Sequence, residues 1–167
     1  KERESQGYSY DTAQASFELL ARRTLGQLPE FFDVKRYKVT VERRKNKYNK
    51  MISLSEAVVV VKVDGQKKLS VSESLDEFGS DRGPVNALAK ALAKDLGQYQ
   101  RFIDDMRLVD FKVRITQGGT EAVTRVVIDS EDSTGRRWAT VGVSANIVDA
   151  SFDALIDAMN WKILSDF

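Results

Sequence analysis

The chain offers side chains for chemistry at few places. It holds no histidine and no cysteine, which removes imidazole acid–base catalysis, thiolate nucleophiles, disulfides and the commonest transition-metal ligands together. Carboxylate pairs stand at Asp104-Asp105 and Glu131-Asp132. Such a pair works as acid and base only where burial or a like charge raises one pKa. Both pairs lie in polar, loop-like sequence and are expected to be solvated turn acids. No phosphate-binding loop, dinucleotide fingerprint or nucleophile elbow occurs. No catalytic residue, metal ligand or cofactor is therefore assigned to the chain, which is expected to catalyse nothing alone.

Two helix entrances are more promising. In FGSDRGPVNALAKAL (78–92), Gly83 and Pro84 open a helical run, with Asn86 near the start. Proline suits the first turn because its missing N–H would be unpaired there anyway. In GVSANIVDAS (142–151), the small residues Gly142, Ser144 and Ala145 precede a second helix. Free N–H groups and the helix dipole favour a carboxylate at such ends, and small residues let a ligand approach the backbone. Taken singly, each is as well read as a capped helix, with Asn146 or Ser144 as the second cap.

A third feature is basic. Residues 35–50 hold eight Lys or Arg against one Glu, with Tyr37 and Tyr48 interleaved. The first half also runs αβββα, the order of double-stranded-RNA-binding domains, where Lys90 and Lys94 would meet phosphates. The inter-strand motif of those domains is missing, however, and the net charge is only +1. A solvated hairpin loop whose lysines protect a sheet edge is the simpler reading, and no nucleic-acid partner is expected.

The surrounding elements must position these features. At 167 residues, 42% hydrophobic and 31% charged, the chain reads as a globular domain with a proper core. No apolar run suggests a membrane span and no signal peptide is visible, so no membrane partner and a cytoplasmic setting are expected. The opening KERES, without Met, reads as part of something longer. YDTAQASFELLARRTLG is a helix with Asp11 as N-cap, Ala13, Phe17, Leu20 and Thr24 on one face, and Gly26 as its stop. YKVTVER alternates as a half-buried strand, RRKNKYNK follows as a loop, and AVVVVKV is apolar on both faces as a central strand. Asp64-Gly65 signals a hairpin turn, LSVSES is a third strand, and Val85, Leu88, Leu92 and Leu96 mark the helix. DFKVRI, GTEAVTRVVID after a Gly118-Gly119 turn, RRWATVGV after Ser133-Thr134-Gly135, and NIVDASFDALIDAMNWKIL repeat the order. In that last helix Val148, Phe152, Leu155, Ile156, Met159 and Ile163 share a face.

So βββα occurs twice, and the fold class is α+β: two βββα repeats with pseudo-twofold symmetry, each sheet covered by its helix, preceded by a linker helix. A helical linker subdomain over 1–33 and a main domain over 34–167 are expected, with repeats at about 35–98 and 107–165. The repeat relates the two helix entrances and favours a ligand at them.

The residues also carry a family resemblance. RGPVNALAKAL and the closing WATVGVSANIVDASFDALIDAM resemble the C-terminal regulatory domain of the 2-isopropylmalate synthase and citramalate synthase family, from about residue 36 to the end. DFKVRI, GTEAVTRVVIDS and RRWATVGVSANIVDAS are more similar to the citramalate synthase branch, as is the linker-like GYSYDTAQASFELLARR. Isopropylmalate synthases usually carry an Ala-Leu-Gly type sequence where Ala122-Val123-Thr124 stand. Two departures occur: only the second glycine of the usual Gly-x-Gly-Pro is kept, at Gly83, and SLDEFGSD (74–81) looks inserted.

The resemblance implies a homodimer that binds an end-product amino acid, isoleucine for the citramalate branch or leucine for the other. It also implies attachment to the protein's own catalytic TIM-barrel domain. That domain condenses acetyl-CoA with a 2-oxo acid (pyruvate in the citramalate branch) and uses a divalent metal, while its metal-binding histidines are absent from this chain. The effector residues implied are Gly83, Pro84, Val85, Asn86 and Ala87 on one side. On the other are Ser144, Asn146, Ile147 and Ala150, with Leu108, Phe111 and Val123 as apolar walls.

Overall fold

The computed structural model describes residues 13–76, 83–118 and 121–167. The expected cap at Asp11, residues 77–81 of SLDEFGSD together with Arg82, and Gly119 of the second-repeat turn lie outside them. The chain divides into two compact units, residues 31–100 and residues 1–30 with 101–167.

The unit of residues 31–100 holds β1 (Asp33–Lys45), β2 (Met51–Val63), β3 (Gln66–Asp76) and helix α1 (Pro84–Leu92). Its antiparallel sheet has the order β1-β2-β3, which puts the valine run of β2 at the centre as the sequence demands. Ala57, Val59, Val61 and Val63 are buried on one face of β2, with α1 packed across that strand and β3. Asp64 and Gly65 both take positive φ, 53° and 75°, the pair of left-handed conformations that a two-residue hairpin turn of matching twist requires.

Two expectations change in this unit. RRKNKYNK is not all loop: β1 runs to Lys45, β2 resumes at Met51, and Lys45 pairs with Met51. Helix α1 stops at Leu92, so Leu96 is buried from the turn that follows. There the Leu96 N–H donates to Gln100 Oε1 at 2.8 Å, and Gly97 turns the chain at φ 56°. The buried face of α1 is Ala87, Leu88, Ala91 and Leu92.

The other unit contains α2 (Gln14–Thr24), the short α3 (Gln100–Ile103) at its boundary, β4 (Arg107–Gly118), β5 (Glu121–Glu131), β6 (Arg137–Ser144) and α4 (Ile147–Asp166). Its sheet has the order β4-β5-β6. The duplication extends to irregularities: a bulge lies between Leu108 and Asp110, just before Phe111, and another between Val34 and Arg36, just before Tyr37. A bulge inserted at the same place in two hairpins re-aims the strand identically in both.

Helix α4 keeps half of the expected large-residue face, Leu155, Met159 and Ile163, and adds a row of small residues that spacing did not single out. Ala150, Ser151, Ala154 and Ala158 are buried together with Leu155, Met159 and Ile163, whereas Val148, Phe152 and Ile156 are only half-buried. The cause is Gly142. A Cβ there would stand 1.8 Å from the Ala150 carbonyl oxygen, so helix and strand backbones meet at a distance only glycine permits. Thr140 Oγ1 donates to the Ala154 carbonyl at 2.7 Å, and Trp138 Nε1 to the Ala158 carbonyl at 3.1 Å. The ring of Trp138 stacks on Trp161 at 5.0 Å.

Helix α2 belongs to the same unit and packs against α4 and β6. It ends as its glycine implies: Gly26 at φ 67° lets Gln27 N–H reach the Arg22 carbonyl at 2.8 Å and Gly26 N–H reach Arg23 at 3.1 Å. Its buried face is Ala15, Ser16 and Leu19, with Phe17 exposed. Of the stripe expected from spacing, Ala13 is buried but Phe17 and Thr24 are exposed, and the neighbouring face turns inward because Ser16, a polar residue, is the one that docks. Its hydroxyl accepts from Val141 N–H at 2.9 Å on β6 and donates to Asp157 Oδ2 at 2.8 Å on α4.

Candidate functional site

The two helix entrances differ. At α1, Gly83 is the N-cap in extended backbone (φ −105°, ψ −159°) and has no side chain to offer. Pro84 lacks an N–H, and the first helical bond runs from Ala87 N–H to the Gly83 carbonyl at 3.2 Å. No hydrogen bond from Val85 or Asn86 N–H is made among the described residues. A Cβ on Gly83 would have nothing within 4 Å. Among the described residues this end therefore keeps unpaired donors, the positive end of the helix dipole and open space together, the conditions for holding an anion. Asn86 Nδ2 reaches Ser74 Oγ at 3.4 Å, which sets the amide beside that opening.

The entrance of α4 is closed by its own sequence. Asn146 Oδ1 accepts from Val148 N–H at 2.8 Å and from Asp149 N–H at 3.4 Å, and Asn146 N–H donates to Ser144 Oγ at 3.2 Å. Capping, the simpler of the two sequence readings, describes this end. Gly142 keeps the helix close to the strand and offers no approach to a ligand. Ala150 is fully buried and presents its carbonyl to Gly142, while Ile147 remains exposed at the helix start.

The proposed apolar walls separate. Phe111 pairs with Ile128 and so shares the face that α4 covers, whereas Val123 pairs with Thr116 and faces the other way. Leu108 pairs with Ser130 at the far end of β4 from Ile115, whose partner Thr124 pairs with Ser144. Seven residues of strand put Leu108 roughly 23 Å from the α4 entrance. Within this unit, Ser144, Asn146 and Ile147 come together at the start of α4. Gly83 to Ala87 form a continuous group in the other unit.

Of the carboxylate pairs, Asp104 is exposed as a turn acid should be, whereas Asp132 and Asp105 are not the solvated acids expected. Asp132 is buried; its carboxylate accepts from Thr134 Oγ1 at 2.6 Å, Thr134 N–H at 3.0 Å and Arg136 Nε at 3.0 Å. Lys162, also buried, pairs with Asp166 and lies 3.3 Å from Asp105 and 3.7 Å from Asp132. Hydrogen bonding from Thr134 outweighs burial and holds the Asp132 carboxyl far below the usual range. Bonds from Ser133 hold Asp105 down likewise. Burial opposes the charge on Lys162, but its partners Asp166 and Asp105 raise its pKa above the ordinary lysine value. Asp132 and Asp105 are thus held ionised, the reverse of what a general acid at neutral pH needs. The polar spacing of these loops gave no sign that Lys162, four residues after Ala158 on the packed face of α4, would close over them.

These carboxylates do not fit the divalent metal of the implied catalytic domain, because a lysine ammonium already occupies their centre. No cluster of metal-ligating side chains is found among the described residues.

Residues 11–163 match the LeuA allosteric (dimerisation) domain. The chain belongs to that family. The LeuA-type domain is 42% identical over 165 residues to an (R)-citramalate synthase of Geobacter sulfurreducens, covering 98% of the chain and 29% of the relative. It is 38% identical over 168 residues to an (R)-citramalate synthase of Aquifex aeolicus, covering 99% and 30%. A 2-isopropylmalate synthase of Pseudoalteromonas atlantica is 32% identical over 170 residues, covering 97% and 30%. The chain thus spans less than a third of the length of these relatives. No helix among the described residues is long and apolar enough to cross a membrane.

Proposed function

We propose that this LeuA-type domain is the feedback sensor of a citramalate synthase-like enzyme and binds a branched-chain amino acid, isoleucine in the first place. The supporting observation is the uncapped entrance of α1, where Val85 and Asn86 N–H groups, an open Gly83 and the Asn86 amide stand together. A free amino acid needs donors for its carboxylate and an acceptor for its ammonium, and this group of residues supplies both. Isoleucine is preferred to leucine because the (R)-citramalate synthases match at 42% and 38%, against 32% for the 2-isopropylmalate synthase. Leucine is an isomer of isoleucine that differs only in where its side chain branches, and valine is one methylene smaller, a difference worth only about 1–3 kcal/mol in an apolar recess, so discrimination is a matter of degree.

The domain acts as a homodimer in this reading. Helix α4 covers β5 and β6 and leaves β4 bare: Phe111, Val113 and Ile115, on the side facing α4, are 37%, 40% and 70% exposed. An apolar stripe left open in a domain of a dimerisation family is suited to a second copy. Inhibition passes to the catalytic domain through α2, which α4 holds by Ser16 and Asp157.

Isothermal titration of the chain with isoleucine, leucine and valine in turn tests the sensor. Heat with isoleucine, and less with the others, is expected. Absence of heat or of a thermal shift from all three at millimolar concentration refutes it.

A further inference from the structure

The basic run of residues 35–50 has no part in the sensor, and the structure changes its meaning. The second half of β1, residues 40–45, is exposed on both faces of the strand. Successive side chains of a strand point to opposite faces. Arg36, Lys38 and Arg44 therefore stand on one side of the β1–β2 hairpin, together with the single acid Glu42, and Arg43 and Lys45 on the other. Lys47 and Lys50 sit in the connecting turn. None of these seven forms an ion pair or a side-chain hydrogen bond among the described residues; only Lys47 has a contact, 5.0 Å from the centre of the Tyr48 ring. Tyr48 itself is 70% exposed. By contrast Lys35, Arg107, Arg136 and Lys162 all have carboxylate partners.

The charge is also segregated. Eight of the 26 basic residues but one of the 25 acidic ones fall in 35–50, which leaves 18 basic against 24 acidic elsewhere. The remainder of the chain repels a polyanion and the hairpin attracts one. Protection of an exposed edge needs a lysine or two and does not account for cations on both faces and at the tip. A flat acidic protein surface would meet only one face of the ribbon. Cations on two opposite faces suit a groove walled on both sides by anions.

We propose that the β1–β2 hairpin is a nucleic-acid-binding ribbon that enters the major groove of B-form duplex DNA, its two charged faces against the phosphates of the two strands. The B-form major groove admits a two-stranded ribbon, whereas that of duplex RNA is too narrow for side chains to read. Tyr48 at the tip supplies an aromatic surface for base edges or sugars. Recognition is carried by phosphate contacts and is weakly selective for sequence.

Fluorescence anisotropy of a labelled 20-base-pair DNA with the full chain tests this. The affinity is expected to fall about 100-fold or more between roughly 50 and 200 mM salt, because each neutralised phosphate contributes about 0.9 to the logarithmic slope and at least about four engage. Replacing Arg43→Gln, Arg44→Gln, Lys45→Gln and Lys47→Gln together, all exposed positions, is expected to lower the affinity by about tenfold or more at the lower salt and to reduce the slope by about 3. Circular dichroism of that variant confirms the fold. The proposal is overturned by no binding at low salt, by binding that the fourfold variant retains, by equal binding to duplex RNA, or by tighter binding to phosphatidylserine vesicles than to DNA.

Discussion

Ser16→Ala should loosen α2 from the rest of its unit, because one buried hydroxyl serves two elements. Its oxygen takes the Val141 N–H of edge strand β6 at 2.9 Å and gives its proton to Asp157 of α4 at 2.8 Å. Alanine leaves the Val141 N–H buried without a partner, at a cost of about 1–3 kcal/mol, and removes a bond to a charged acceptor worth a similar amount. Asp157 keeps Arg23 at 3.8 Å, which limits the second loss. The sum, roughly 2–4 kcal/mol, is a large part of the 5–15 kcal/mol that holds a typical domain. Urea unfolding followed by tryptophan emission reports on it directly, since Trp138 and Trp161 stack beside α2 and Trp161 Nε1 donates to Glu18 at 3.2 Å. With an m-value of about 2 kcal/mol/M, the midpoint should fall by about 1–2 M. Phe17→Ala, on the face chosen by spacing alone, is the comparison and should cost less than about 1 kcal/mol. A loss below about 0.5 kcal/mol for Ser16→Ala, or an equal loss for Phe17→Ala, would refute the docking described.

Gly142→Ala should destabilise by about 3 kcal/mol or more, because its methyl group would meet the backbone of α4 rather than a yielding side chain; a thermal melt like that of the parent chain would contradict the close approach. Gly83→Val should leave the melting temperature and the dimer intact, having open space and an unstrained backbone, yet abolish the calorimetric response to isoleucine; an unfolded variant would make Gly83 a structural turn residue. Ile115→Lys should give monomers in sedimentation velocity, and a dimer that persists would move the interface off β4. Asp132 and Asp105 have folded pKa values below their unfolded value of 3.8, so their stabilisation is complete above that value and is lost as the pH falls below it. Lys162, raised above 10.5, contributes fully below that pH and loses its contribution as the pH rises through its folded value. Urea midpoints across pH should therefore drop below about pH 4, and in Asp132→Asn the acid drop should shrink while the midpoint at neutral pH is already lower. An unchanged acid drop in that variant would assign it to other carboxylates.

Much of this architecture is written locally. Alternation in YKVTV and DFKVRI, the valine run of β2, the Asp64-Gly65 turn and the Gly26 stop each act through neighbouring residues, and the two βββα units follow from them. What spacing did not show depends on contacts distant in sequence. Part of the packed face of α4 is set by Gly142, which lies outside that helix and brings its strand against the backbone at Ala150 and Ala154. The docked face of α2 is set by an edge-strand N–H and a carboxylate more than a hundred residues away. Asp132 looked like a turn acid because nothing near it in sequence reveals that Lys162 closes over it.

The candidate site was legible to a similar degree. Both entrances could be picked out from glycine, proline and asparagine. That Asn146 spends its side chain on its own helix while Gly83 leaves its helix open is visible only in three dimensions. Proximity along the chain likewise gave no warning that Phe111 and Val123 take opposite faces of one sheet.

Amide chemical-shift mapping of the nitrogen-labelled chain with isoleucine puts the sensor reading to its most direct test. Saturable shifts are predicted at the Val85, Asn86 and Ala87 N–H signals, with little movement at Val148 and Asp149, whose N–H groups Asn146 already holds. Isoleucine that leaves the start of α1 unmoved, whether by binding elsewhere or not at all, would contradict it.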